Sequence, residues 1–187
     1  MQATGYFRAQ AFNNAWANHR LLAAVGELRP EELSAPRTGF FPSIAETLNH
    51  ILLVDRFYVS GLEGYGVAIA ELEEPPFPYS IFADLQCEQA QVDRRLIAVC
   101  EQLDDATLAE TIELPRDGWT QTERKDRTLL HLFQHQVHHR GQVHSMLSGT
   151  AVTPPQLDEF FLGHERERAL RADDFAALGF EEQAIWR

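Results

Sequence analysis

Four stretches of this chain repeat apolar side chains every three or four residues, and that period restricts them to amphipathic α-helices. The first runs from about Thr4 to Leu28, where Phe7, Ala11, Phe12, Ala15, Trp16, Leu22, Ala23 and Val25 recur at helical spacing. Thr4 is its candidate N-cap, and Pro30 stands beyond its end. After turn-forming residues 35–43, Ser43-Ile44-Ala45-Glu46 reads as a capping box that opens a second helix reaching about Gly61. The segment Glu73-Glu74-Pro75-Pro76-Phe77-Pro78 excludes a helix, and Ser80 can cap a third one carrying Phe82, Leu85, Val92, Leu96, Val99 and Leu103. A fourth covers about Arg127 to Ser148, with Gly149 in the cap position and Pro154-Pro155 barring its continuation. Each has one apolar face that only mutual packing can bury, so the expectation is an all-α four-helix bundle.

Between residues 111 and 123 the period changes. Thr-Ile-Glu-Leu alternates, Pro-Arg-Asp-Gly turns and Trp-Thr-Gln-Thr-Glu alternates again, which predicts a short β-hairpin just before the last bundle helix. Past residue 149 the pattern suggests short charged helices and a tail. At 187 residues and 44% apolar content the whole chain reads as one domain, with the bundle over about 4–149 and a C-terminal extension over 150–187. A domain of this size buries roughly 70% of its unfolded surface and needs no disulfide or structural metal to hold a core.

Composition narrows the function classes. The net charge of −12 and the lack of a basic stripe argue against a nucleic-acid partner. The start Met1-Gln2-Ala3-Thr4-Gly5-Tyr6-Phe7-Arg8 has no basic and apolar leader, and no apolar run approaches the ~20 residues that span a bilayer. Cys87 and Cys100 form no CxxC pair or disulfide framework. A cytoplasmic protein, neither exported nor embedded in a membrane, is the expectation.

Five of the eight histidines crowd into the fourth helix, as His131, His135, His138, His139 and His144. Four residues advance a helix by about 400°, so His135 and His139 share a face at the HxxxH spacing that places two imidazoles on one divalent ion. Two ligands bind weakly, and His50 on the second helix is the strongest candidate for a third, since facing helices of a bundle can aim at one point. Three histidines would leave a coordination position open, which is the arrangement of catalytic rather than structural zinc sites. His131 and His138 share a neighbouring stripe and are weaker candidates as ligands or supporting residues. His19 falls on the apolar stripe of the first helix and reads as a core residue, and His144 and His164 have no partner at ligand spacing. Glu46, one turn before His50, reads first as a capping residue and second as a base, while Asp55 reads as ordinary surface. His164-Glu165 lacks the second His of a zincin, and no Glu-x-x-His pair suits a di-iron bundle.

Three motifs together resemble a known family. They are Thr47-Leu48-Asn49-His50 with the apolar stretch after it, the run from His131 through His135 and His139 to Gln142, and Pro155-Gln-Leu-Asp158-Glu-Phe-Phe-Leu162. In this order they make the chain similar to DinB-like (DinB/YfiT-like) proteins, a group of bacterial four-helix bundles treated as candidate metalloenzymes. The resemblance implies a divalent metal, nickel or zinc, held by His50, His135 and His139. It also implies a homodimer, and a small-molecule substrate that is a low-molecular-weight thiol in some relatives. The function expected is thus a metal-dependent hydrolase or thiol transferase, with a non-catalytic metal-binding or structural dimeric bundle as the alternative. If a thiol is the substrate, a cation should hold its carboxylates, and Arg140 points about 100° away from His139.

Overall fold

The apolar periods become helices in the computed structural model, which describes residues 2–186. In chain order these residues form α1 (Ala3–Val25), α2 (Pro30–Leu33), α3 (Ile44–Leu62), α4 (Ile69–Leu72), α5 (Phe82–Glu101) and α6 (Asp105–Ala109). Strands β1 (Thr111–Arg116) and β2 (Trp119–Arg124) follow, then α7 (Lys125–Leu147), α8 (Glu165–Leu170), α9 (Ala172–Leu178) and α10 (Glu182–Trp186). The long helices α1, α3, α5 and α7 are the four that the periodicity predicts. The short α2, α4 and α6 are one-turn pieces inside connections, too brief for a period to register.

Three of the predicted helix ends lie elsewhere in the structure. Thr4 lies inside α1, which starts from an extended Gln2 with no side-chain cap. Ser80 does not cap α5 either; that helix begins from Ile81. The reason lies in α3, where the Asn49 side chain accepts from Tyr79 N at 2.6 Å and donates to Tyr79 O at 3.1 Å, pinning the chain just upstream. At its other end α7 closes on a right-handed Ser148 instead of a left-handed Gly149. Ser43 does cap α3, accepting from Glu46 N at 3.2 Å while its hydroxyl donates to the Glu46 carboxylate at 3.2 Å. Such a cap is worth about 1 kcal/mol.

In the bundle, α1 packs against α5 and α7, and α3 packs against the same two, so α1 and α3 stand on opposite corners. The antiparallel hairpin pairs Thr111 with Arg124 through Arg116 with Trp119, around a two-residue Asp117-Gly118 turn in which Gly118 has φ 74. Ile112 and Leu114 point inward from β1, and Leu114 comes close to Gly61 of α3. Fully buried Trp16, Phe57, Ile51, Leu52, Leu96, Leu129, Leu132 and Leu147 fill the interior. Helices α9 and α10 lie on α1, and the segments beside them add Phe160 against Trp16 at 5.5 Å and Phe180 against Phe12 at 4.8 Å.

One layer of the core is polar, and every long helix contributes to it. Arg140 of α7 donates through Nη1 to Asn14 Oδ1, to Asn18 Oδ1 at 3.1 Å and to Gln136 Oε1 at 2.9 Å. Asn14 and Asn18 of α1 donate to Asp93 of α5, and Gln89 bridges Asp93 and Asp55 of α3. Asp55 is 1% exposed, which corrects the surface placement expected from its helical phase. Its partners lie on other helices, so no local pattern in α3 reveals that it faces inward. Burial raises the Asp55 carboxyl to about 8, with the nearby Asp93 charge adding to the shift. Burial likewise raises Asp93 to about 6 and lowers Arg140 to about 10.

Candidate metal centre

His50 stands two turns inside α3, where Ser43 fixes the helix start and Asn49 ties the helix to residue 79. His135 and His139 stand one turn apart on α7, which packs face to face with α3. The three rings converge, with centroids 4.9 Å apart for His50 and His135, 4.6 Å for His50 and His139, and 4.3 Å for His135 and His139. The Nε2 atoms of His50 and His135 are 3.0 Å apart. Two imidazole nitrogens at ordinary bond lengths on one tetrahedral ion would be roughly 3.3 Å apart, so the gap is already ligand-like. One nitrogen from each ring lies within 4.8 Å of the others, and these three residues could hold a metal ion. Among the described residues no fourth His, Cys, Asp or Glu joins the group.

Electrostatics keep the three rings neutral, which a metal ligand requires. Burial lowers His50 to about 4, helped by the charge of His139. Burial also lowers His135 to about 3, with His139, His50, His131 and His138 opposing a further positive charge. His139 is lowered by burial as well, partly offset by its bond to Gln142. That bond, Nδ1 to Gln142 Oε1 at 2.8 Å, matters for orientation. The amide oxygen only accepts, so Nδ1 carries the proton and the Nε2 lone pair of His139 is left for a cation. His135 Nδ1 is buried without a hydrogen-bond partner among the described residues, so packing against its neighbours sets that ring. Three borderline nitrogen donors, all neutral and aimed at one point, fit a divalent ion such as zinc or nickel.

Phe41, in the loop before α3, covers the centre with its ring 4.4 Å from His50 and 5.8 Å from His139. The loop has turn chemistry but no period, so this aromatic wall has no signature in the sequence. Gln142, likewise, is present in the motif, yet only the fold shows that it orients His139.

The other candidates take different places. His131 is exposed, its ring 5.2 Å from Tyr58 and 6.2 Å from His135, and it stays outside the converging three. His138 is exposed beside His139, with Nε2 accepting from the Gln142 amide at 3.2 Å. His19 is half-exposed and faces Asp174 of α9 at 3.8 Å, because the C-terminal helices cover a side of α1 that a bundle alone would leave to solvent. His144 donates to Pro155 O at 3.0 Å, and His164 caps α8 by accepting from Arg166 N. Glu46 is spent on the α3 cap, and Arg140 lies in the buried polar layer. Cys87 and Cys100 are unpaired, exposed and buried respectively.

Comparison with known proteins agrees with this fold. A family model described as DinB family matches residues 1–169. Protein DinB of Bacillus subtilis (strain 168) is 24% identical over 162 residues, covering 83% of this chain and 94% of the relative. Among solved structures, a DinB-like protein from Bacillus cereus ATCC 10987 superposes with a TM-score of 0.57 at 18% identity, over 75% of this chain and 90% of that one. At that identity the likeness speaks for the fold.

Proposed function

The chain belongs to the DinB family, and from that premise we propose that it is a cytoplasmic metal-dependent enzyme in which His50, His135 and His139 hold nickel or zinc. The observation that carries this reading is the convergence of three neutral imidazoles, from two facing helices, with no fourth protein ligand among the described residues. A divalent cation there supplies Lewis acidity toward a water or a thiol, which suits hydrolysis or thiol transfer.

The protein's own side chains prepare that chemistry. Gln142 fixes the tautomer of His139 and keeps its Nε2 free. Phe41 narrows the space beside His50 and His139 and excludes water from one side, which strengthens electrostatic interactions inside. On the hairpin side of the centre stands His131, its ring 5.2 Å from Tyr58 and 6.2 Å from His135. The substrate is a small molecule, and the working unit is a homodimer.

Metal content, measured by mass spectrometry on protein purified without tag or chelator, tests the site. Near-stoichiometric nickel or zinc is expected in the wild type and should be lost in His50→Ala, His135→Ala and His139→Ala with helicity unchanged. Azide or small thiols should then perturb the d–d spectrum of the protein loaded with nickel, or with cobalt in place of zinc. A metal that they cannot reach would favour a non-catalytic bundle, and no uptake after reconstitution would overturn the proposal.

A further inference from the structure

Residues 155–162, which form one of the three sequence motifs, take no part in the histidine centre. They wall a cavity of about 680 Å³ on another side of α7, within the roughly 300–1,000 Å³ that small-molecule sites occupy. Val137 and Gly141 of α7 form its floor, about 200° of helical turn from His135 and His139 respectively, and none of the three converging histidines borders it. Leu157 and Phe161 supply apolar walls, and α1 closes another side with Gln10 and Asn13. The loop is tied down, since His144 Nε2 donates to Pro155 O at 3.0 Å and Arg20 Nη1 donates to Gln156 O at 3.1 Å. A Cβ added to Gly141 would meet nothing within 4 Å, so the helix backbone itself is open to the space.

Two polar groups in this lining have hydrogen-bonding capacity left over, and of opposite kinds. Arg140, 5% exposed, uses only Nη1 in the buried polar layer. Its Nε and Nη2 bond to nothing among the described residues, and neither nitrogen is sealed from solvent. Asn13, 9% exposed, donates through Nδ2 to Gln10 Oε1 at 3.5 Å, and its Oδ1 is buried with no partner among the described residues. A buried acceptor without a donor is costly, and a ligand N–H would satisfy it. Charge argues against an anionic ligand. Asp93 and Asp55 already face the Arg140 guanidinium, and exposed Asp158 adds a carboxylate at the edge of the cavity. A free donor edge and an orphan acceptor in one lining match the C=O and N–H of an amide, which carries both and no charge.

We propose that this cavity is a second binding site, which takes a neutral amide with an apolar body. The amide oxygen accepts from Nε and Nη2 of Arg140, an amide N–H donates to Asn13 Oδ1, and the apolar part lies against Val137, Leu157 and Phe161 above Gly141. The site stands apart from the metal centre and holds whether or not the metal-dependent function proposed above is correct.

The test is calorimetric titration of the full chain with 3-phenylpropanamide, N,N-dimethyl-3-phenylpropanamide and 3-phenylpropanoate. The primary amide is expected to bind about tenfold more tightly than the dimethylamide, which keeps the oxygen and lacks the N–H, and than the carboxylate. These affinities should be the same in metal-loaded and chelator-treated protein. Gly141→Leu, which fills the floor, should abolish binding of the primary amide with helicity unchanged, and Asn13→Ala should remove its advantage over the dimethylamide. Because Asn13 belongs to the buried wall, the wild-type comparison and Gly141→Leu stand without that variant. No binding of the primary amide, or binding of the dimethylamide or the carboxylate as tight as that of the primary amide, would overturn the inference. Binding that survives in Gly141→Leu, or that disappears with the metal, would place the ligand elsewhere and overturn it as well.

Discussion

Gln142 shows how one side chain outside the ligand set can govern it. Its oxygen accepts from His139 Nδ1 and so decides which nitrogen is free. Replacing it with Leu keeps the bulk and removes the acceptor. Metal affinity of Gln142→Leu should fall by about 10- to 100-fold in a chelator competition, with the helix intact. A second residue-scale prediction concerns protons in the metal-free protein. Folding holds His50 and His135 below their ordinary 6.5, so the unfolded chain binds more protons than the folded one and stability rises with pH up to that value. Asp55 and Asp93 act in the opposite sense. Their carboxyls are raised from 3.8 to about 8 and about 6, so each lowers stability as pH climbs through that range. Above 6.5 the two histidines and Asp93 have only the tails of their titrations left, and Asp55 dominates the change. Urea unfolding should therefore show a loss on the order of 1 kcal/mol between pH 6.5 and 8, which Asp55→Asn should abolish.

Among the elements, the hairpin and its approach to α3 depend on backbone that few residues can adopt. Gly66, just after α3, has φ 44, and a Cβ there would stand 2.9 Å from the Glu113 carbonyl oxygen of β1. Gly66→Ala should cost about 1–3 kcal/mol in chemical denaturation, through the left-handed backbone and the clash together. Gly141, in the middle of α7, has a helical backbone, and a Cβ added to it would meet nothing within 4 Å. Gly141→Ala should accordingly stabilise the protein by about 0.5–1 kcal/mol in the same measurement. The opposite signs follow from φ and from neighbours, and neither is written in the residue type.

Across the molecule as a whole, α9 and α10 lie beyond the matched family region, which ends at residue 169. They nevertheless complete the core. Asp174 accepts from Trp16 Nε1 at 3.1 Å and from Arg20 at 2.6 Å, while Phe175 packs on Phe160, Phe180 packs on Phe12, and Ile185 is buried in the core. Arg171, nearly fully buried, pairs with Glu182 at 3.0 Å and holds the segment's two ends together. Ending the chain after residue 169 should destabilise it by more than about 3 kcal/mol, judged by the apolar side chains uncovered. Metal content should persist, since all three histidines precede that point. No described helix is long and apolar enough to cross a membrane.

The four long helices, the hairpin and the pair His135 and His139 were all legible in the order of residues, because periods of 3.6 and 2 and an HxxxH spacing are local quantities. His50 was a candidate as a lone histidine on a helix that had to face another, and the family resemblance, not any local spacing, set it above the other single histidines. Three other features took shape only when the helices packed. Asp55 lies inside because Gln89 on another helix meets it, Phe41 closes the centre from a loop without a period, and Arg116 comes beside α3 only when the hairpin folds back. Each of those contacts joins residues far apart in the chain, and their partners' positions are set by how the four apolar faces pack together.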